Sequence, residues 1–281
     1  MLTAGTKLYD TDLFMWFDAS QQPTGSDATL RTHDLKALGN TTQTAVCSSS
    51  FTISEGVGLR NVGAIDAYYN LTGTNGVCWI AASPDDHLNG GSGGSSNTHF
   101  TSGDEITVEC WLYLNTGWGT GQITDGGGSA NRISQRDKCS FRLKHNTTSY
   151  FQCGSANMQP NLTDVDGTNY VTTLMSDKWA HYVWRYGDGS VLDESGSDKG
   201  DFWINGNKVF GTTQDPNISG ITHFSRITIN TTNLAYSGPQ SQPGTADRLT
   251  GRLGMLRFYK KAIPASAVRS NYAGTKARWG L

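Results

Sequence analysis

Residues 105–114 read EITVECWLYL, and their alternation decides the fold class. Ile106, Val108, Cys110, Leu112 and Leu114 share one side of an extended chain; Glu105, Thr107, Glu109, Trp111 and Tyr113 share the other. Successive strand side chains point to opposite faces, so the pattern predicts a long strand with one apolar face. Shorter candidates of the same kind lie at 13–19, 76–82, 138–144, 149–154, 180–187, 201–204, 207–211, 225–230 and 252–260, between Gly, Ser, Asn and Asp clusters. Glu occurs only at 55, 105, 109 and 194, while Gly occurs 34 times, a balance that favours strands and turns over helices.

Residues 201–213, DFWINGNKVFGTT, predict a hairpin. Asn205-Gly206 suits the two positive-φ positions of a type I′ turn. With Ile204 opposite Asn207, Phe202 faces Val209 and enters the core, and Trp203 faces Lys208, whose ammonium can stack on the indole. One helix is predicted, over 263–274, with Pro264 in its first turn, Val268 and Tyr272 one turn apart, and Gly274 just past its end. The Gly/Ser stretch 88–104 reads as a surface loop, because the strands before it bring too little apolar area for a core of their own. The expectation is a single domain, 1–281: an all-β jelly roll of two antiparallel sheets packed face to face, with one short C-terminal helix.

The 22 Lys and Arg nearly balance the 24 Asp and Glu. With no Arg-rich run or basic patch read in the sequence, nucleic acid and membrane insertion are not expected. The opening MLTAGTKLYDTDLFMWFDAS lacks a basic segment followed by an apolar one and does not read as a secretory signal. Five cysteines, Cys47, Cys78, Cys110, Cys139 and Cys153, contain no CxxC pair. KCSFRLKHNTTSYFQC reads as a hairpin turning near Asn146, with Phe141 opposite Phe151 and Cys139 opposite Cys153. Those two thiols either bridge or lie buried and reduced, the reading that an unexported protein favours.

Several stretches, taken together in their order, resemble a known group. LFMWFDASQQPTGSDATLRTHDLKALGN looks like an opening strand and Asp-containing loop, and SPDDHL before SGDEITVECWLYL like a paired-Asp segment and long strand. KWAHYVWRYGDG, DFWINGNKVF and LTGRLGMLRFYKKAIPASAVRSNY resemble a Trp-x-His strand, an Asn-Gly hairpin, and a closing strand with its short helix. The group is the concanavalin A-like lectin/glucanase superfamily, in its laminin-G-like branch. Asp12-x-x-x-Trp16 and Gly103-Asp104 leading to Thr107, Glu109 and Trp111 also resemble modules of tailed-phage structural proteins.

This resemblance implies a non-enzymatic virion protein, either a capsid decoration or a tail or fibre component. It would assemble as a homo-oligomer, bind other virion proteins and contact host glycans. The alternative is a stand-alone carbohydrate-binding lectin module, extracellular by a route without a signal peptide; a glucanase is a third reading. Glucanases of the superfamily carry Glu-x-Asp-x-Glu, whereas this chain has Glu105-x-Thr107-x-Glu109, which reads equally as the polar face of an amphipathic strand. On a straight strand the Glu Cα atoms would lie ~13 Å apart, so the carboxyl groups must lean together to flank one glycosidic bond. Trp118, in the Gly-rich NTGWGTGQ, is the leading candidate to stack on a sugar, with Trp111, Tyr113 and Glu109 as a groove floor. Ca²⁺ is a candidate cofactor at Asp85 and Asp86, or around Asp188, Asp193, Asp198 and Asp201. His181 reads as a satisfied structural residue.

Overall fold

The computed structural model describes residues 9, 13–18, 25–26, 34–36, 42–47, 52–54, 68–71, 77–81, 105–115, 120–126, 140–144, 151–153, 156–158, 174–187, 192, 197–213, 226–229, 251–259 and 261–281. These residues are almost all strand, with one C-terminal helix. Nine strands form an antiparallel sheet. In spatial order it runs β15 (Asn207–Thr212), β14 (Gly200–Ile204), β13 (Lys178–Tyr186), β8 (Ile106–Leu114), β17 (Gly251–Tyr259), β6 (Tyr68–Leu71), β5 (Thr52–Ser54) and β2 (Gly25–Ser26). β1 (Leu13–Asp18) also lies along β17, beyond the stretch that pairs with β6.

A six-stranded antiparallel sheet runs β10 (Ser140–Lys144), β9 (Thr120–Gly126), β16 (Arg226–Ile229), β7 (Val77–Ala81), β4 (Thr42–Cys47) and β3 (Asp34–Lys36). β11 (Phe151–Cys153) pairs only with β12 (Ala156–Met158) among the described residues. Among the described residues β10 pairs with β9, and the expected pairing of β10 with β11 is not seen. Phe141 stands opposite Thr124 of β9, and Phe151 opposite Met158. Cys139 lies outside the described residues, as does the side chain of Cys153. Cys110 is a free, buried thiol.

β8 is the centre of the larger sheet, flanked by β13 and β17 along its whole length. Its alternation is as the sequence predicts, but neither face is wet. Val108, Cys110, Leu112 and Leu114 on the apolar side are fully buried, and so are Thr107, Glu109 and Trp111 on the other. Helix α1 (Ala265–Thr275) and a 3-10 turn (Lys276–Trp279) cover that second side. The helix begins later than predicted because Pro264, at φ −62° and ψ 152°, is its extended N-cap. Gly274 is a buried residue inside it, and Gly280, at φ 77°, closes the turn that follows.

The β14–β15 turn matches its sequence, with φ 51° at Asn205 and 77° at Gly206. Its register differs by one bulge. Ile204 faces Asn207 and Trp203 faces Lys208, but Phe202 faces Phe210, leaving Val209 as the extra residue. Lys208 does not stack on the indole. Its ammonium lies 2.6 Å from an Asp198 carboxylate oxygen, and the guanidinium groups of Arg185 and Arg269 lie over Trp203 instead.

Candidate functional site

The candidate site face is best followed along β8, from Glu105 to Tyr113. Glu105 Oε2 accepts the Ala262 N–H at 3.1 Å. Thr107 Oγ1 accepts the Ile263 N–H at 3.0 Å and donates to the Lys261 carbonyl at 2.7 Å. Glu109 Oε2 accepts from Asn271 Nδ2 at 2.9 Å and from the Tyr259 hydroxyl at 2.7 Å. Trp111 Nε1 donates to Thr275 Oγ1 at 2.9 Å. Alternate residues of the strand thus grip residues 261–275 in order, and α1 runs beside β8 in the same direction.

Glu109 is the electrostatic centre of this face. His181, its neighbour on β13, brings Nε2 to 2.8 Å from Oε1, and the Arg257 guanidinium on β17 stands 3.6 Å from the same oxygen. Burial alone pushes this carboxyl up. The Arg257 charge, the His181 hydrogen bond and charge, and the Tyr259 hydroxyl outweigh it and hold the carboxyl at about 2, against an ordinary 4.5. An ionised carboxylate only accepts, so Nε2 of His181 carries the proton it shares, and Nδ1 makes no hydrogen bond. Asn271 completes the circuit, its Oδ1 accepting the Tyr9 N–H at 2.9 Å.

Two further devices fix the surroundings. Arg185 holds both oxygens of Asp201 and donates to the carbonyls of Ile263 and Leu192 at 2.7 and 2.8 Å, so four of this buried cation's five N–H donors have acceptors. Trp279 packs on Trp179 with ring centroids 4.3 Å apart and on Trp111 at 5.8 Å. Gly254 makes room for it. A Cβ there would lie 2.0 Å from the Trp279 ring.

The candidate residues now separate. Glu109 and Trp111 are sealed beneath α1 and do not floor an open groove. Glu105 and Glu109 are each engaged by the C-terminal segment. Tyr113, at the far end of β8, is only half-buried; Arg252 stacks over its ring at 4.6 Å and Trp179 meets it edge-on at 5.9 Å. Trp118 lies outside the described residues, in the sequence between β8 and β9. Asp85, Asp86, Asp188 and Asp193 also lie outside them. Of the other Asp candidates, Asp201 is held by Arg185 and Asp198 pairs with Lys208; no group that could hold a metal ion occurs among the described residues. His181, read as a satisfied structural residue, is buried with Nε2 on Glu109, a partner not foreseen, while Nδ1 has no hydrogen bond. Asn271, Tyr259 and Arg257 were missed, and a polar Asn among the apolar positions of a predicted helix was the available signal.

A family profile, Laminin_G_3 of the concanavalin A-like lectin/glucanases superfamily, matches residues 88–269. The chain belongs to this superfamily. No curated protein matches it. Among solved structures, a Trypanosoma rangeli sialidase in complex with 2,3-difluorosialic acid is 14% identical, with a TM-score of 0.56, over 100% of this chain and 36% of the sialidase. The receptor binding domain of botulinum neurotoxin D is 9% identical, with a TM-score of 0.56, over 96% of this chain and 56% of its own. Domain 4 of AbnA, an extracellular arabinanase from Geobacillus stearothermophilus, solved with arabinotriose, is 14% identical, with a TM-score of 0.50, over 93% of this chain and 98% of the domain. The chain thus spans about a third to a half of the first two and nearly all of the third. At these identities the likeness is one of fold.

Proposed function

We propose that this superfamily member is a carbohydrate-binding module with no hydrolytic activity of its own. The observation that carries the reading is the end-to-end likeness to the arabinanase domain, a unit solved with a trisaccharide bound. The internal engagement of Glu109 supports the second clause. A glycosidase needs two carboxyl groups facing a sugar, and this carboxylate is fully buried and faces His181, Tyr259 and Asn271. The antiparallel sheets give such a module a rigid frame, and its loops provide the contact surface. The reading assigns the sugar contact to Tyr113, half-buried near the Leu114 end of β8, and to Trp118, which follows β8 in the sequence. Nothing in the family match or the neighbours above speaks for the virion role read from the sequence, so glycan binding takes its place as the leading function.

A glycan array tests the reading. The wild type should retain one class of oligosaccharide without releasing reducing sugar. Trp118→Ala should weaken that retention by about tenfold, the loss expected for one stacking aromatic. An array with no retained glycan would sink the proposal, and release of reducing ends abolished by Glu109→Gln would replace it with a hydrolase.

A further inference from the structure

We infer that the exposed side of α1 and its 3-10 extension forms a cationic track for an anionic polysaccharide, one bearing carboxylate or sulfate groups. The inference rests on the carbohydrate-binding reading and names the ligand class. Its first ground is charge segregation that the near-neutral total conceals. Residues 260–281 hold five Lys and Arg and no Asp or Glu, while residues 1–259 hold 17 against 24. The C-terminal segment thus carries net positive charge in a chain whose remainder is net negative, a balance that favours a polyanion at that segment.

The second ground is where these cations stand. Lys261, Arg269 and Lys276 are exposed, while Val268, Asn271, Gly274 and Thr275 turn inward. Arg269 and Lys276 are seven residues apart, so they share one side of the helix about 10 Å apart along its axis. The track runs beside β8, as the contacts of Ile263 with Thr107, Asn271 with Glu109 and Thr275 with Trp111 show. It therefore leads from the Glu105 end of the strand toward Tyr113, where the sugar contact is proposed.

The third ground is that helix stability does not account for all of the pattern. Cations suit a helix C-terminus, which explains Lys276. Lys261 precedes the helix and Arg269 is in its N-terminal half, where the dipole favours anions, and no acidic residue occupies the first turn. Half-buried Tyr272, with the Lys276 ammonium 5.8 Å from its ring centre, adds an aromatic surface on the same track.

The test compares retention of the full chain on dextran sulfate, polygalacturonate and uncharged dextran over a range of salt. The wild type should bind the two polyanions with affinity that falls steeply as salt rises. Lys261→Gln/Arg269→Gln/Lys276→Gln should lose that affinity by about tenfold and flatten its salt dependence, with binding of neutral oligosaccharides unchanged. Arg269 touches Trp203, so the double variant Lys261→Gln/Lys276→Gln, checked for a wild-type near-ultraviolet spectrum, keeps the test sound if the triple variant unfolds. Binding to neutral glycans without binding to either polyanion would overturn the inference and leave the carbohydrate reading standing. Binding to no glycan of any kind would overturn both. Equal affinity for duplex DNA would overturn the assignment to polysaccharide.

Discussion

Asn271 of the C-terminal helix donates a 2.9 Å hydrogen bond to Glu109 at the middle of the central strand, with both side chains fully buried. The same amide accepts the Tyr9 N–H, so one side chain joins both ends of the described chain to the sheet. Asn271→Ala removes a donor from a buried carboxylate and an acceptor from a backbone amide. It should cost about 2–4 kcal/mol, read as a lower urea midpoint with an unchanged m-value.

Glu109 also makes stability depend on acid. Its folded-state value, about 2, lies below the ordinary 4.5, so its contribution is present above pH 4.5 and is lost as pH falls toward 2. The span corresponds to about 3 kcal/mol. Urea titrations between pH 6 and 2 should show this slope in the wild type. Glu109→Gln should be less stable at neutral pH and show a flatter profile; equal slopes would mean that the carboxylate is not held as described.

Gly254 permits the Trp279 ring to lie against β17. Gly254→Ala should push that ring away and destabilise the protein by about 1–3 kcal/mol, with altered near-ultraviolet dichroism from the Trp111–Trp179–Trp279 group. An unchanged melting temperature would show that Trp279 has room to move.

Asn205 does more than turn the hairpin. Its N–H donates to the His181 carbonyl and its Oδ1 accepts the His181 N–H, both at 2.9 Å. Asn205→Gly keeps the left-handed turn but loses the second bond, so a loss of about 1 kcal/mol is expected. Were the turn alone important, this variant would match the wild type.

What the sequence disclosed follows from what a period of two can encode. Alternation in 105–114 assigns side chains to faces, and the Asn-Gly pair assigns a turn. Neither says what covers a face. Glu105, Thr107 and Glu109 look like a solvent side until residues 261–275 are seen lying on them, and those partners are some 155 residues away in the chain. The Val209 bulge was hidden because a shifted register still leaves Phe202 facing an apolar residue. Gly254, by contrast, was a legible mark: a glycine inside the strand RLGMLRFYK announces a bulge or a close approach, and it is both.

The grip of β8 on residues 261–275 has a consequence for biosynthesis. Translation releases every described strand before the segment that caps this face, so until then Glu109 lacks the hydrogen bond that Asn271 will supply. A nascent chain stalled before Pro264 would carry a polar, aromatic-lined surface at the middle of its sheet. Its completion depends on sequence-distant contacts, which form slowly. Ribosome-bound intermediates of this protein should therefore hold chaperones until residues 261–275 emerge.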